Sequence, residues 1–459
     1  MNRDATKSLR ISHVGLRGVV GPGLTAARVI DFASAFGTFL GAPGAVVTGR
    51  DPRASGVMIR EGVAAGLMAC GRDVIDLGVV STPVIQHTIR RMGAAGGVSI
   101  GASHNTADWN ALKFFGPAGV YLSTAEAGEL LDIYHLRKFD FADWQGIGGM
   151  RVETGTIDPY LDELAAVFDI AAIRGFCVVV DCCNGTSSHI LHRMNRRFGT
   201  NFILINAKTE GVEFAHGPAT TRDTVGLQLA PLMVPLGADA GFLFDVDSDR
   251  VALAAEDGTA VSEELVLPLI ADYLLPRHEG KLVITNLSST ALLEEVVARH
   301  GGRVLRVPVG RQSAMDALAT YRPEQIALAG EGTGAVMMPQ FRFIYDGIAS
   351  MLAILSMMKE RGARLSEILK SYPRFSILKG EAPLQSRQIP ALLAAIRERY
   401  RDGEVNATDG LRVDWPDHWF HVRVSQTEPV VRIICERRGD PPRELYDELV
   451  EQCLAANTY

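Results

Sequence analysis

AGFLFDVDSDR, residues 240–250, opens with five residues that carry no polar side chain and then sets an aspartate at every second position ahead of an arginine. A continuous apolar run of that length suits a strand covered on both faces, as in a parallel sheet flanked by helices. Similar runs occur in GAVVTGR (44–50), FCVVVDCCNG (176–185) and KLVITNLSS (281–289). Helical stretches such as ELVLPLIADYLLPRH (264–278) and ALLEEVVARHG (291–301) lie between them, so the pattern is that of an α/β fold. The alternation restarts near residues 155–175 and again near 258–275, which predicts three α/β units in tandem. After SYPRFSILKGEAPL (371–384), where a proline follows a helical pattern, come the strands LRVDW, HWFHVRVS and PVVRIICE and a helix near 441–455. That last stretch reads as α+β.

At 459 residues the chain exceeds a single hydrophobic core, and at roughly 100–200 residues per domain it predicts about three or four of them. Apolar residues at 47% and charged residues at 22% fit a globular protein and argue against long disorder. The 46 Lys and Arg against 53 Asp and Glu leave a formal charge of −7. No global basic field therefore draws nucleic acid or an anionic membrane, and any phosphate site must be assembled locally. The start, MNRDATKSLR, lacks the apolar core of a signal peptide, and no uninterrupted apolar run approaches the ~18 residues of a membrane span. A cytoplasmic location is expected. Cys70, Cys177, Cys182, Cys183, Cys435 and Cys453 show no CxxC spacing and are expected to be reduced thiols, several on buried strands.

GASHN (101–105) follows the apolar strand GGVSI, which puts Ser103 at a strand end, where α/β folds bind ligands. Serine is a poor nucleophile unaided, and a seryl phosphate is a poor donor until its oxygens are neutralised, which a carboxylate-held divalent cation can do. GASHN and DVDSDR therefore make sense as two halves of one site for phosphoryl transfer through a covalent serine. His104 and Lys113 are candidates for moving a proton or balancing phosphate charge. The alternation in DVDSDR is expected to place Asp245, Asp247 and Asp249 on one side of an extended segment, where three oxygen donors converge on Mg²⁺. Arg250 would then contact phosphate. A calcium loop competes, because the aspartates would occupy its positions one, three and five and Glu256 its position twelve. It fails at position six, where a sharp turn needs Gly and Arg250 stands, and in the strand-like flanks GFLF and VALAA. A charged surface turn, and for GASHN a simple Ser/Asn turn, are the bland alternatives.

GEGTGAVM (330–337) follows the strand QIALA and offers Glu331 and Thr333 as partners for sugar hydroxyls, although a lone glycine-rich loop is also an ordinary tight turn. HVRVSQTEPVVR (421–432) sets Arg423, Ser425, Thr427 and Arg432 around a short loop, a donor set suited to a phosphate dianion. Ser425 and Glu428 also fit a helix capping box, but Pro429 and the strand-like VVRIIC argue against one. GLRGVVG (15–21), GRDPRASG (49–56) and RVPVGRQ bring Arg17, Arg50, Arg53 and Arg311. For these, phosphate binding and pairing with local carboxylates are both open.

Taken in order across essentially the whole chain, these segments resemble the α-D-phosphohexomutase superfamily of phosphoglucomutases, phosphomannomutases and phosphoglucosamine mutases. GASHN with NALK resembles TASHNP…NGxK, DVDSDR resembles DGDGDR, GEGTG resembles GExSG, and RVSQTEP…R resembles RxSGTEPxxR; GRDPRASG, GVVSTP (78–83) and DGLRV (409–413) also look like family landmarks. The resemblance implies three related α/β domains with mixed, largely parallel sheets and a smaller α+β domain around a central cleft. Their expected spans are 1–152, 153–257, 258–370 and 371–459, with a hinge near 370–376. It implies that Ser103 carries the phosphate, that Ser103, Asp245, Asp247 and Asp249 hold Mg²⁺, and that His104, Lys113, Arg17 and Arg250 assist catalysis. Glu331, Thr333, Arg311, Arg423, Ser425, Gln426, Thr427 and Arg432 would bind substrate. A sugar monophosphate would become a hexose 1,6-bisphosphate and return its other phosphate to Ser103, interconverting 6- and 1-phosphates.

A small-molecule sugar phosphate is thus the expected partner, with no nucleic acid or membrane, and the chain is expected to act as a monomer or homodimer. GEGTGAVMMP…YDG is closer to the GEGNGGVIxP…RDG of archaeal-type phosphoglucosamine mutases, which tilts the substrate toward glucosamine phosphate. Thr106 in place of proline, Ala335 in place of histidine, His13 in place of threonine and Thr333 in place of Ser or Asn depart from family patterns. His13, Thr106 and Ala335 favour a rival, a sugar-phosphate-binding regulator or a catalytically weakened relative. A phosphatase working through the aspartates is a further alternative.

Overall fold

Four sheets follow one another along the chain, in a computed structural model that describes residues 9–12, 15–41, 43–209, 213–339, 341–383, 386–425 and 430–456. The first contains β1 (Leu9–Ser12), β2 (Gly15–Val19), β3 (Val46–Arg50), β4 (Val74–Val79), β5 (Gly96–Ile100), β6 (Trp109–Phe115) and β7 (Met150–Val152), in the order β1-β2-β6-β5-β3-β4-β7. β5, β3, β4 and β7 are parallel, whereas β6 is antiparallel to β5 and β2. The second holds β8 (Cys177–Asp181), β9 (Asn201–Ile205), β10 (Ala240–Phe244) and β11 (Val251–Ala255), ordered β11-β10-β8-β9. The third holds β12 (Leu282–Asn286), β13 (Arg303–Val307), β14 (Ile326–Glu331), β15 (Ala335–Met338) and β16 (Arg342–Tyr345), ordered β13-β12-β14-β15-β16. Each of these three sheets thus joins parallel strands to an antiparallel edge.

The strand core follows from the apolar runs. Every residue of β10 and β11 is buried, as expected of strands covered on both faces. Helix ends are set locally. The helix Thr82–Met92 starts where Ser81 accepts a hydrogen bond from Val84 N, carries Pro83 in its first turn and stops at Gly93 with φ 59°, a position that suits glycine. This start fixes Thr82 at the end of β4, beside the site described below.

One apolar core runs continuously through the first three units, from Val47 and Ile85 through Val180 and Phe242 to Ile284 and Leu328. A polar tie crosses it. Buried Tyr160 donates from its hydroxyl to both carboxylate oxygens of Asp346, 3.0 Å away, and Asp346 caps the helix Gly347–Arg361 by accepting from Ala349 N. Tyr160→Phe leaves Asp346 short of one buried donor and is expected to lower the free energy of unfolding by about 1–2 kcal/mol, measurable by denaturant titration.

The fourth sheet, β17 (Phe375–Pro383), β18 (Glu404–Asn406), β19 (Leu411–Asp414), β20 (His418–Val424) and β21 (Val430–Arg438), is wholly antiparallel in the order β17-β21-β20-β19-β18. It builds a separate core with the helices Ile389–Arg399 and Arg443–Ala456. Its contacts with the third unit include many polar ones: Ser288 Oγ with His421 Nδ1 at 2.9 Å, Ala291 N to Glu436 Oε2 at 2.7 Å, Val309 N to Asp409 Oδ2 at 2.8 Å and Lys379 with Glu264 at 2.8 Å. Polar interfaces of this kind permit relative domain motion. Among the described residues no helix is long and apolar enough to cross a membrane. All six cysteines are free, four of them buried.

Candidate active site

Ser103 stands in the loop between β5 and β6 with φ 49°, a left-handed conformation uncommon for serine, and is 2% exposed. Arg53 holds it there. Its Nη2 donates to Ser103 O and Asn105 O, both at 2.8 Å, its Nη1 to Thr106 O at 2.5 Å and Trp109 O at 3.0 Å, and its Nε to Asp51 Oδ2 at 2.9 Å. The guanidinium is therefore committed to the backbone of the serine loop and to a local carboxylate. Arg17 reaches the same loop differently, donating to the Asn105 side chain at 2.8 Å and facing a cavity.

The aspartate segment is not extended as the alternation predicted. Residues 246–249 form a turn in which Ser248 adopts φ 63°. Thr186 holds that turn, its Oγ1 lying 3.0 Å from Ser248 Oγ and donating to Val246 O at 3.0 Å. Val246 and Ser248 are as buried as the aspartates, so turn geometry, not strand alternation, converges the carboxylates. Each of Asp245, Asp247 and Asp249 offers an oxygen within 4.8 Å of the others.

Their partners come from all three α/β units. Asp245 Oδ2 accepts from Ser103 Oγ at 2.5 Å and Oδ1 from Arg250 N at 3.1 Å. Asp247 Oδ2 accepts from Thr82 Oγ1 at 2.8 Å and from the buried ammonium of Lys113. Asp249 Oδ2 accepts from Arg311 at 3.1 Å and Lys113 at 3.5 Å. Asp247 Oδ1 and Asp249 Oδ1 are buried without a hydrogen bond. Arg250 Nε lies 3.7 Å from Asp249 Oδ1 without making a hydrogen bond. Leaving buried carboxylate oxygens without a hydrogen bond is costly unless a cation takes them up, so the residues fit a hard divalent metal bound through oxygen.

The charges divide the trio. Burial and the charges of Asp249 and Asp247 push Asp245 well above the ordinary carboxylate range. Burial acts the same way on Asp249, but Lys113, Arg311 and Arg250 outweigh it and hold that group low. Burial opposes the charge of Lys113, yet Asp247 and Asp249 prevail and raise its proton affinity. His104 goes the other way: Arg250, burial and Arg17 depress it to about 2. Of the two proton-transfer candidates, then, the lysine is a fixed ammonium and the histidine a neutral ring.

A cavity of about 310 Å³ opens beside the trio, lined by Arg17, His104, Lys113, Arg250, Arg311 and Glu331 among others. Burial and the neighbouring Arg311 and Arg250 lower Arg17 to about 10, a crowding of positive charge that an anion would relieve. Arg311 lies 4.2 Å from the centre of the Tyr121 ring and 5.2 Å from that of Tyr345, whose hydroxyl donates to Glu331 Oε1 at 3.3 Å. In the glycine-rich loop Thr333 Oγ1 is buried without a partner. Gly334, at φ 80°, passes so close to β11 that a Cβ would stand 2.1 Å from Val251 O, and its own carbonyl accepts from Val251 N. Glycine is required there by both conformation and space.

On β20 and β21, Arg423 and Arg432 face each other as cross-strand neighbours, Arg423 donating to Asp409 Oδ2 at 3.1 Å and Arg432 lying exposed. Ser425 follows directly, whereas Gln426 and Thr427 lie outside the described residues, as does His13. Neither Arg423, Ser425 nor Arg432 lines the cavity; they stand on the separately cored fourth domain. Three contributors escaped the sequence analysis: Arg53 as scaffold, Thr82 on Asp247, and Tyr345 on Glu331. GVVSTP and YDG contain the last two. A larger groove of about 800 Å³, between residues 153–158 and the helix Ser187–Phe198, is lined by Val79 and Val80 of GVVSTP but by none of the candidate catalytic, metal or substrate residues.

Comparison with known proteins matches the phosphoglucomutase/phosphomannomutase alpha/beta/alpha domains I, II and III to residues 11–140, 158–258 and 263–375. The chain is 31% identical over 443 residues to a phosphoglucomutase/phosphomannomutase of Thermococcus kodakarensis, covering 95% of this chain and 96% of that one. It is also 31% identical over 448 residues to a protein of Pyrococcus abyssi named "Probable phosphoglucosamine mutase", with 96% and 97% covered. A crystal structure of a phosphoglucomutase/phosphomannomutase family protein from Burkholderia thailandensis superposes with a TM-score of 0.84 at 25% identity, covering 100% of this chain and 98% of that one. Aspergillus fumigatus N-acetylphosphoglucosamine mutase, solved with GlcNAc-6P and magnesium, shares the fold with a TM-score of 0.62 at 15% identity over 99% of this chain and 98% of that one. With its three matched α/β domains and antiparallel fourth, the chain belongs to the phosphoglucomutase/phosphomannomutase family of the α-D-phosphohexomutase superfamily, and it is a mutase, an intramolecular phosphotransferase.

Proposed function

We propose that this mutase interconverts hexosamine 6-phosphate and 1-phosphate, with glucosamine phosphate preferred, through a phosphoserine at Ser103 and a hexose 1,6-bisphosphate intermediate. The observation that carries the mechanism is Ser103, next in the chain to His104 of the cationic cavity, with its Oγ 2.5 Å from Asp245 of a trio in which two buried carboxylate oxygens accept no hydrogen bond. Asp245, Asp247 and Asp249 would hold Mg²⁺ together with the Ser103 phosphate, and the bound metal supplies Lewis-acid charge neutralisation at the transferring phosphoryl group. Magnesium in the A. fumigatus relative supports that choice.

In the forward half-reaction the P–O bond to Ser103 breaks and one to the substrate hydroxyl forms. The hydroxyl proton ends on Ser103 Oγ, whose hydrogen bond Asp245 accepts. Lys113 and Arg250 balance charge on the phosphoryl oxygens, and neutral His104 offers a hydrogen bond without competing as a cation. Arg17 and Arg311 attract the anionic substrate, while Glu331 and Thr333 take sugar hydroxyls. Arg423, Ser425, Gln426, Thr427 and Arg432 would grip the distal phosphate once the fourth domain closes about a hinge near 370–376, the domains spanning 1–152, 153–257, 258–370 and 371–459.

The glucosamine preference rests on GEGTGAVMMP…YDG and on the P. abyssi relative. A Mg²⁺-dependent mutase assay, primed with the matching bisphosphates, should give a kcat/KM for glucosamine phosphate at least about tenfold above those for glucose, mannose and N-acetylglucosamine phosphates, a discrimination of roughly 1.4 kcal/mol. Equal use of glucose and mannose phosphates would overturn the preference while leaving the mutase assignment in place. Sugar-phosphate binding with no turnover on any of the four would instead support the weakened relative.

A further inference from the structure

The segment 213–220 contacts all three α/β units outside the cavity. In the first unit the Phe214 ring covers Arg53, whose guanidinium carbon lies 4.7 Å from the ring centre. In the second, His216 Nε2 faces Asp181 Oδ2 at 3.1 Å, and Asn184 donates to Glu213 O at 2.8 Å. In the third, Thr220 Oγ1 donates to Thr333 O at 3.2 Å.

The His216 contact is an ion pair on geometric grounds. Nε2 faces a carboxylate, and Nδ1 faces Gly217 O at 2.8 Å, with Cys183 Sγ farther off at 3.7 Å. The nearest partner of each nitrogen is an acceptor, so both ring nitrogens carry hydrogens. Asp181 is itself anchored, accepting from Asn206 Nδ2 at 3.0 Å and from Cys183 N at 2.9 Å. Burial opposes the imidazolium, but the contacts with Asp181 and Cys183 prevail and lift His216 to about 10.

We infer that residues 213–220 form a strap in which the His216–Asp181 pair seats Phe214 on Arg53 and so positions the Ser103 loop against the aspartate trio. Phe214 and His216 are positioning residues. They touch neither substrate nor the reacting atoms but act through Arg53, which holds four carbonyls of the serine loop. An aromatic face over a committed guanidinium excludes water that would compete for its hydrogens and adds cation–π attraction. Thr220 carries the same anchorage to the loop of Glu331 and Thr333. The role rests on the proposed function, because it matters to turnover only if Ser103 is the phosphorylated residue.

The test combines hydrogen exchange with steady-state kinetics on the full chain, comparing wild type, Phe214→Ala, Phe214→Tyr and His216→Gln. Phe214→Ala should speed exchange in peptides covering 101–110 while the rest of the first domain keeps its protection. It should lower kcat roughly ten- to a hundredfold, as expected from misplacing a reacting group by about an ångström, with KM changed less than about twofold. Phe214→Tyr should restore both, and His216→Gln should change them in the same direction as Phe214→Ala. Unchanged exchange at 101–110 in Phe214→Ala, faster exchange spread evenly over the chain, or a kcat loss that tyrosine fails to restore would each overturn the strap. Exchange requires no turnover, so it judges the strap even if Ser103→Ala shows the serine mechanism to be wrong.

Discussion

Replacing Ser103 by alanine is expected to abolish mutase turnover, with a fall in kcat of roughly ten-thousandfold or more, as when a covalent nucleophile is removed from a working constellation. The geometry leaves no substitute. Thr82 is committed to Asp247, and Ser248 is buried in its turn against Thr186. The fold should survive, because the serine hydroxyl is hydrogen-bonded to Asp245 while the loop is held through backbone carbonyls by Arg53. Losing that one bond should change stability by no more than about 1–3 kcal/mol. The check is kcat for the primed reaction together with intact mass after incubation with a hexose 1,6-bisphosphate. Wild type should gain a phosphate and Ser103→Ala none. A phosphorylated, active alanine variant would move the covalent step to another residue, and an unphosphorylated but fully active one would remove it.

How far the site could be read in advance depended on whether its determinants were local. The apolar run AGFLF marked β10 because burial on both faces leaves a continuous signature in one segment. Asp245, Asp247 and Asp249 were visible as a donor set, but their shape was not. The bend at Ser248 is stabilised by Thr186, 62 positions earlier, and period-two spacing alone suggests an extended strand. Arg53 shows the same limit. Pairing with a local carboxylate, Asp51, was one of two open readings, yet the carbonyls that consume its other hydrogens lie 50 to 56 positions downstream and reach it only in the folded sheet. The charge states of His104 and Lys113 were equally out of reach, since each is set by groups from distant segments. The last phosphate motif was legible as chemistry, but its distance from the cavity is a matter of domain arrangement, which no short motif encodes.

Asp247→Asn is expected to cost about 4 kcal/mol of transition-state stabilisation, roughly a thousandfold in kcat, and to remove the stabilisation of the folded protein by Mg²⁺. The argument starts from the two oxygens of Asp247. Oδ2 is occupied by Thr82 and Lys113, while Oδ1 is buried without a hydrogen bond, as is Oδ1 of Asp249, which has Arg250 Nε 3.7 Å away. A cation drawn to those oxygens binds the native state and not the unfolded chain. At a concentration a hundred times its dissociation constant it should therefore stabilise wild type by about 2.7 kcal/mol. Asparagine keeps the shape but withdraws one full charge from the trio and leaves Lys113 paired with Asp249 at 3.5 Å. The metal-free variant should consequently be less stable than metal-free wild type, because removing one member of a buried ion pair costs more than the relief of repulsion from Asp245 and Asp249 returns. Thermal unfolding with EDTA and with a Mg²⁺ series separates these effects: wild type should shift upward with Mg²⁺ and Asp247→Asn should not. A variant that still gains stability from Mg²⁺ with the wild-type midpoint would place the metal elsewhere, and a wild type that shows no gain would mean that Lys113, Arg311 and Arg250 suffice to neutralise the trio.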